Sequence, residues 1–339
     1  PALIDPFDAL TELVLVGGKR LRPAFFHWAH VGAGGEPFAP EAVDAAAAIE
    51  MLHAFALAHD DIMDASESRR GHPTVHVRFA ELHHGDGPLL LPNPWDVGSA
   101  KLFASLGFQA LATTSSGHAA TLGRLDGGVS REEALAHAAT IVGATDLPVS
   151  ADLENGFADD PAEVAETIRL ATGTGLAGCS VEDFTGREDD PIYDAGLAVE
   201  RVAAAAEAAH GGPVRMVLTA RTENFLHGRP DLDDTISRLQ AFEEAGADVV
   251  YAPGLTDEDD IRRLVESVGV PVNVLALPGV PPVAELAAIG VKRISVGSGF
   301  NLVGLAAVAS AGQELLDTGT YGFWDLAGEG IQIRNAAFD

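Results

Sequence analysis

The chain has 339 residues, 47% of them hydrophobic, which suffices for one large domain or for a standard domain with a smaller companion. A formal net charge of −29 opposes approach to nucleic acid or an anionic membrane, so neither is expected as a partner. One cysteine, Cys179, excludes a disulfide within the chain; with no signal pattern and no apolar run long enough to cross a membrane, a cytoplasmic protein is expected.

Residues 1–78 carry helical periodicity. In "DPFDALTELVLVGGKRLRPAFFHWAH" and "PEAVDAAAAIEMLHAFALAHDDIMD" apolar residues recur at three- and four-residue spacing, and no strand pattern occurs up to about residue 80. After "FAELHHGDG" the pattern changes. Short apolar runs, "PLLLPN", "ALATTSS", "PVSADLE", "GCSVEDF", "MVLTART", "DVVYAPG", "PVNVLAL" and "RISVGSG", alternate with amphipathic helical stretches that start at Asp, Ser or Thr and stop at Gly. Strict alternation implies a parallel sheet, and a count of eight favours a (β/α)8 TIM barrel over residues 79–319; a doubly wound open sheet is the alternative. Residues 320–339 show no periodic pattern and are expected to pack loosely or against a partner subunit. "GTGLAG" at Gly173, Gly175 and Gly178 matches a dinucleotide fingerprint, but it closes a helix and precedes a strand, the reverse of what a pyrophosphate site needs, and reads as a turn.

In such a barrel the chemistry sits at the C-terminal ends of the strands. The second strand is followed by Thr113, Thr114 and Ser115 and, beyond a loop, Asp126. The third ends in "SADLENGF", which puts Asp152 and Glu154 two apart on one face. The fourth ends in Glu182 and Asp183, on opposite faces, and the fifth places Arg221 at the mouth. Glycines of "SVGSGF" after the eighth strand can expose backbone N–H groups to an anion. Carboxylates converging on one mouth repel one another unless a cation joins them, and oxygen-only donors point to Mg²⁺ or Mn²⁺ rather than zinc. Arg221 would then clamp a substrate carboxylate or face a developing enolate.

The stretches "LLLPNPWDVGSAKLFASLGFQALATTSSG", "SADLENGF", "GCSVEDF" and "VLTARTENF" resemble the isocitrate lyase and phosphoenolpyruvate mutase superfamily, over about residues 79–318. The resemblance implies a Mg²⁺-dependent enzyme that makes or breaks a C–C or P–C bond next to a 2-oxo acid, through an enolate. Its substrate would be a small 2-oxo or enol acid or a phosphonate. The resemblance further implies a homodimer or homotetramer that exchanges its last helix. Carried over by motif, Asp152 would hold the metal directly, and Glu154, Asp126 and Glu182 would hold metal-bound waters. Thr114 and Ser115 would bind a carboxylate, Arg221 the enolate side, and Trp95, with Asn273, would line the pocket. The chain departs from the family after the fourth strand. The lyases carry a "KRCGH"-like loop there, with an acid–base cysteine, whereas this loop reads "TGREDDPIYD"; the Lys and Asn of the mutases are absent too. Cys179 lies inside a strand and reads as a buried structural thiol, which leaves Arg187, Glu188, Asp189 or Tyr193 as replacements.

"GGKRLRP", "EMLHAFALAHDDIMD" and "RRGHPT" resemble the amino-terminal quarter of the trans-isoprenyl diphosphate synthases. That likeness implies Mg²⁺ and allylic diphosphate at Asp60, Asp61 and Asp64, and isopentenyl diphosphate at Lys19, Arg22, Arg70 and His53, with Arg69 on the allylic partner. Such a site needs a second aspartate motif on a facing helix. The later runs "DLDD" (231–234) and "DEDD" (257–260) open barrel helices and read as caps. The expected chain is therefore a truncated synthase-like all-α segment fused to a complete barrel. A prenyl diphosphate synthase and a non-catalytic oligomeric scaffold are the alternatives to the lyase or mutase.

Overall fold

The structure, a computed structural model, describes residues 21–36, 39, 40, 42–45, 68, 69, 72–212 and 214–338. The chain divides into two units, Pro1–Glu67 and Ser68–Asp339. In the first, helix Leu21–Gly32 overlaps the end of the first of the two expected helical stretches and runs two residues beyond it. At the start of the second unit, Ser68–Arg69 pairs antiparallel with His72–Pro73, where no strand was expected. A two-residue ladder is too short to leave an alternating pattern in the sequence.

Eight parallel strands follow: β1 (Leu89–Leu91), β2 (Leu111–Ala112), β3 (Val149–Asp152), β4 (Gly178–Glu182), β5 (Val217–Arg221), β6 (Val249–Tyr251), β7 (Val272–Leu275) and β8 (Arg293–Ser295). Each lies in one of the eight apolar runs. Their order around the sheet is β1-β8-β7-β6-β5-β4-β3-β2, which leaves a seam between β1 and β2. The seam is bridged where the strands end. The Ala112 N–H donates to the Pro92 carbonyl at 3.1 Å, and Asn93 Nδ2 donates to the Thr113 carbonyl at 3.1 Å. Asn93 Oδ1 in turn accepts the N–H groups of Val296 and Gly297, each at 2.9 Å, so one side chain ties β1, β2 and β8 together.

Capping chemistry starts the helices between the strands. Asp96 and Ser99 form a reciprocal capping box before Val97–Ser105, as do Ser130 and Glu133 before Arg131–Val142. Asp231 and Asp257, the heads of the two acidic runs, accept N–H groups at the starts of Leu232–Glu244 and Glu258–Ser267, as expected of caps. Each such cap contributes about 1 kcal/mol. Gly175, at φ +85, turns the chain after helix Pro161–Thr172 and into β4, so "GTGLAG" is a turn.

The bottom of the barrel is closed by helix Val75–Leu82. Its Phe79 is fully buried against Leu89, Leu91, Ala110, Ala112, Ala177, Val217 and Val249. Burying such a ring stabilises the fold by roughly 2–3 kcal/mol. His83, edge-on to Phe79 and bonded to its carbonyl at 2.8 Å, is pushed down to about 3 by burial and by Arg293, so it sits there neutral.

The tail differs from expectation. Residues Trp324–Ala337 form a helix that packs on Val97–Ser105, with the Phe338 ring close to Gly98. Two glycines and scattered isoleucines blur its apolar stripe, which is why no period is legible there.

Candidate active site

The ends of β2 to β5 bring the acids of the sequence reading around one arginine. Arg221 closes β5 and is 15% exposed at its side chain; Nη1 donates to Asp152 Oδ1 at 2.9 Å, and Nη2 reaches Glu182 at 3.1 Å and Glu223 at 2.7 Å. The second oxygen of Asp152 accepts from the Ser115 hydroxyl at 2.9 Å and its N–H at 3.2 Å, while the Asp152 N–H donates to Thr113 Oγ1 at 2.9 Å. Asp152 is thus fixed from three sides by β2 and β5.

Glu154 follows two residues later with φ 49, in the left-handed region that an L-residue enters at a cost of about 1–2 kcal/mol. The strain is held by the loop behind it. Arg201, 1% exposed, donates to the carbonyls of Asn155, Ala158 and Asp159, and its guanidinium stacks 4.0 Å from the centre of the Tyr193 ring. Strain kept this way at a strand end is a mark of a functional position.

The electrostatics show too much negative charge for the cations present. Burial, then Asp152 and Asp126, pushes the Glu154 carboxyl up to about 8. Asp126, on the exposed rim, is raised by loss of solvent on its inner side and by Asp152. Burial also holds Glu182 well above the ordinary range against the pull of Arg221. Burial works against the charge on Arg221, but Glu223, Glu182 and Asp152 outweigh it and keep the guanidinium protonated.

Two hollows open at this end. A cavity of ≈ 200 Å³ is lined by Thr114, Ser115, Asp126, Asp152 and Arg221, and continues inward to Tyr251 and Arg293. A wider groove of ≈ 1090 Å³ beside it is lined by Asp126, Glu154, Glu182, Phe184 and Glu188. Thr114 also caps helix Ser115–Thr121, with Oγ1 accepting from Gly117 N–H at 3.2 Å.

Two residues expected at the pocket stand back from it. Trp95 is half-buried, edge-on to Phe103 at 6.1 Å, and Asn273 is buried with Nδ2 donating to Ser295 Oγ at 3.0 Å; neither lines the cavity. On the loop after β4, Tyr193 bonds Asp159 and is pushed up to about 12, first by burial, while Arg187 pairs with Asp159 at 3.1 Å. Cys179 is buried within β4, and burial pushes its thiol up to about 12, so it is inert. Of the diphosphate residues, Lys19, His53, Asp60, Asp61, Asp64 and Arg70 lie outside the described residues. Arg22 falls in helix Leu21–Gly32 and Arg69 in the strand Ser68–Arg69.

Glu223 is the functional group that the sequence reading passed over. It is 2% exposed, accepts from Arg221 Nε at 2.9 Å, and its N–H donates to buried Asp183 at 2.8 Å. Asp183 also accepts from Thr222 at 2.9 Å and Arg238 at 3.2 Å, so a second buried ion pair braces the strand end behind Arg221. The signal was present in "TARTEN": an acid two residues beyond an inward-facing arginine shares its face.

Among the described residues, no three His, Cys, Asp or Glu side chains are grouped to hold a metal by themselves. The donors still fit a hard divalent cation bound partly through water. They are oxygen-only, and such a cation would offset both the burial and the mutual repulsion that lift Glu154, Asp126 and Glu182.

Comparison with known proteins agrees with this fold. The family model described as phosphoenolpyruvate phosphomutase matches residues 79–316, and the one described as polyprenyl synthetase matches residues 6–85. A solved structure from Burkholderia cenocepacia, provisionally described as a lyase/mutase, is 50% identical with a TM-score of 0.76, over 78% of this chain and 96% of that one. An uncharacterised protein of Mycobacterium tuberculosis is 33% identical over 71% of this chain and 90% of its own length. The 2-methylisocitrate lyase of Escherichia coli is 29% identical over 55% of this chain and 64% of that enzyme, so the match spans less than two thirds of the lyase.

Proposed function

Because the chain belongs to the phosphoenolpyruvate phosphomutase family, we propose that it makes or breaks a carbon–carbon bond next to the carbonyl of a small 2-oxo acid, through an enolate, with Mg²⁺ as cofactor. The observation that carries this is Arg221 bonded at once to Asp152, Glu182 and Glu223 beside the crowded acids Asp126 and Glu154. The 2-methylisocitrate lyase among its relatives favours a carbon–carbon bond; a phosphonate is the second substrate class.

Asp152 would hold the ion directly, and Glu154, Asp126 and Glu182 would hold it through water. Bound there, Mg²⁺ would withdraw charge from the substrate carbonyl oxygen and offset the repulsion among the acids. The chain's own groups do the rest. Ser115 and Thr113 keep Asp152 oriented. Arg221, locked by three carboxylates, sets a fixed positive charge toward the oxygen on which enolate charge develops, and needs no reorganisation during the reaction. With Tyr193 and Arg187 committed to Asp159, Glu188 is the titratable residue of that loop that lines the groove, and its carboxylate moves the proton at the enolate carbon.

A second copy of the chain covers the apolar face of helix Gly299–Thr318. Leu302, Leu305, Val308 and Leu316 are all exposed there.

The test is turnover of a panel of short 2-hydroxy di- and tricarboxylates, oxaloacetate and phosphonopyruvate, read as appearance or disappearance of a 2-oxo acid with Mg²⁺ or with EDTA. Turnover should need the metal. It should fall at least a hundredfold in Asp152→Asn and in Glu188→Gln. Turnover indifferent to EDTA and to Asp152→Asn would overturn the reading.

A further inference from the structure

The interior of this barrel is more polar than a barrel core needs to be. Tyr251 and Ser295 line the cavity below the acid cluster, and Arg293 forms its floor. Barrel cores of this type are ordinarily filled by branched apolar side chains. The strand register links the site to this floor: Arg221 pairs with Tyr251, Tyr251 with Asn273, and Asn273 with Arg293. One belt of polar side chains thus runs from β5 to β8, three strand steps or roughly 14 Å around the wall and less across it.

Arg293 is the anomaly in that belt. It is only 4% exposed, and its guanidinium crosses the interior from β8 to donate to Thr219 Oγ1 on β5 at 2.8 Å. Its Nε has no hydrogen-bond partner, and among the described residues no carboxylate pairs with it. A buried charge without a counter-charge is costly enough that proteins keep one for a reason. The neighbouring floor group, His83, carries no negative charge, and Arg293 itself, though lowered to about 10 by burial, keeps its proton at neutral pH. Two guanidinium groups line the cavity. Arg221 is taken up by three acids, and Arg293 by none.

We infer that Arg293 receives a carboxylate that enters the cavity, so that the substrate is a short dicarboxylic acid with its far carboxylate at the barrel floor. The hydroxyl of Ser295 and the phenol of Tyr251 flank that position and can donate to the same anion. An acid-rich mouth would repel a dianion in water. A floor cation in a low-dielectric shaft, where the attraction is stronger, draws it in and fixes which end leads. The word substrate rests on the function proposed above; anion binding at Arg293 does not.

The experiment is therefore run without metal. In chloride-free buffer with EDTA, the thermal midpoint of the full chain is titrated with malonate, acetate and neutral malonamide, and crystals are soaked in bromide. Malonate should raise the midpoint saturably, acetate less, and malonamide not at all. Arg293→Met should weaken malonate at least tenfold, while its own midpoint without anion equals or exceeds that of the parent, since an uncompensated charge has gone. Anomalous bromide density should lie within hydrogen-bond distance of Arg293, an outcome that does not depend on the variant folding. A malonate response unchanged in Arg293→Met, or bromide found elsewhere and never at Arg293, would overturn the inference. A small inorganic anion is the occupant if bromide binds there but malonate and acetate shift the midpoint equally, and that result too would overturn the dicarboxylate. Loss of metal-dependent turnover in Asp152→Asn with the malonate response retained would separate the two proposals.

Discussion

Replacing Glu154 by Gln should stabilise the metal-free barrel by an amount that is absent in acid and grows as pH rises from about 5 to about 8. The carboxyl rises from 4.5 to about 8, by burial first and then by Asp152 and Asp126. Between those two values the folded chain holds a proton that the unfolded chain has released, so stability falls as pH rises through that window, and the full penalty is in place above it. At about 1.4 kcal/mol per unit the shift sets a ceiling of about 5 kcal/mol; partial exposure and relaxation of the loop reduce this to roughly 2 kcal/mol. Glutamine mimics the protonated acid. Parent and Glu154→Gln should therefore melt together at pH 5 in EDTA and separate by roughly 5 °C at pH 9, the variant higher. Differential scanning calorimetry at both pH values reads this directly. Mg²⁺ at pH 9 should close the gap by raising the parent more than the variant, because the variant has lost one anionic donor. Equal midpoints at pH 9, or a gap as wide at pH 5, would refute the electrostatic origin of the effect.

Two further outcomes follow from packing. In Gly178→Ala the new methyl would lie 2.7 Å from the Phe79 ring and 2.8 Å from the Val217 carbonyl oxygen, so the urea midpoint should fall by the equivalent of roughly 1–3 kcal/mol. Adding Phe79→Leu should recover only part, since the carbonyl is backbone; full recovery, or no loss at all, would show that the floor gives way more easily than its packing implies. Val308→Glu puts a charge on a 73% exposed position of helix Gly299–Thr318 and should lower the mass seen by light scattering to that of a monomer, with circular dichroism unchanged. An unchanged mass would remove the second copy from that face.

What the sequence made legible follows from the range of the interactions involved. Strand runs such as "GCSVEDF" and helix starts such as Ser130 with Glu133 are set within a few residues, and all eight strands lie where the apolar runs put them. That Asp126, Asp152, Glu154 and Glu182 gather at one mouth was legible because residues after the strands of a barrel converge there, a rule that needs only the strand positions. Asn93 was not, because its role depends on Val296 and Gly297, some two hundred positions away, meeting it across a seam. Trp95 was expected at the pocket from the motif alone, whereas its ring turns toward Phe103. The strand pair at Ser68–Arg69 and the tail helix escaped for the opposite reason: their local patterns are too short or too weak to register.

Arg293 escaped because it opens a strand rather than closing one. A reading confined to the C-terminal ends stops at the mouth, whereas this cavity continues past it. On the inference drawn for Arg293, the two arginines would do different work with the same group. Arg221 is surrounded by acids and is a fixed part of the wall, so its substitution should disturb Asp152, Glu182 and Glu223 together. Arg293 has a hydroxyl and an unmet N–H, so its substitution should leave the wall intact and change only what the cavity admits. A chain whose loop after β4 lacks the family's reactive groups can still distinguish substrates in this way, by the charge at the bottom of the barrel rather than by the loop above it. The floor residues are held by the strands themselves, and a site built on strands keeps its geometry better than one built on a loop.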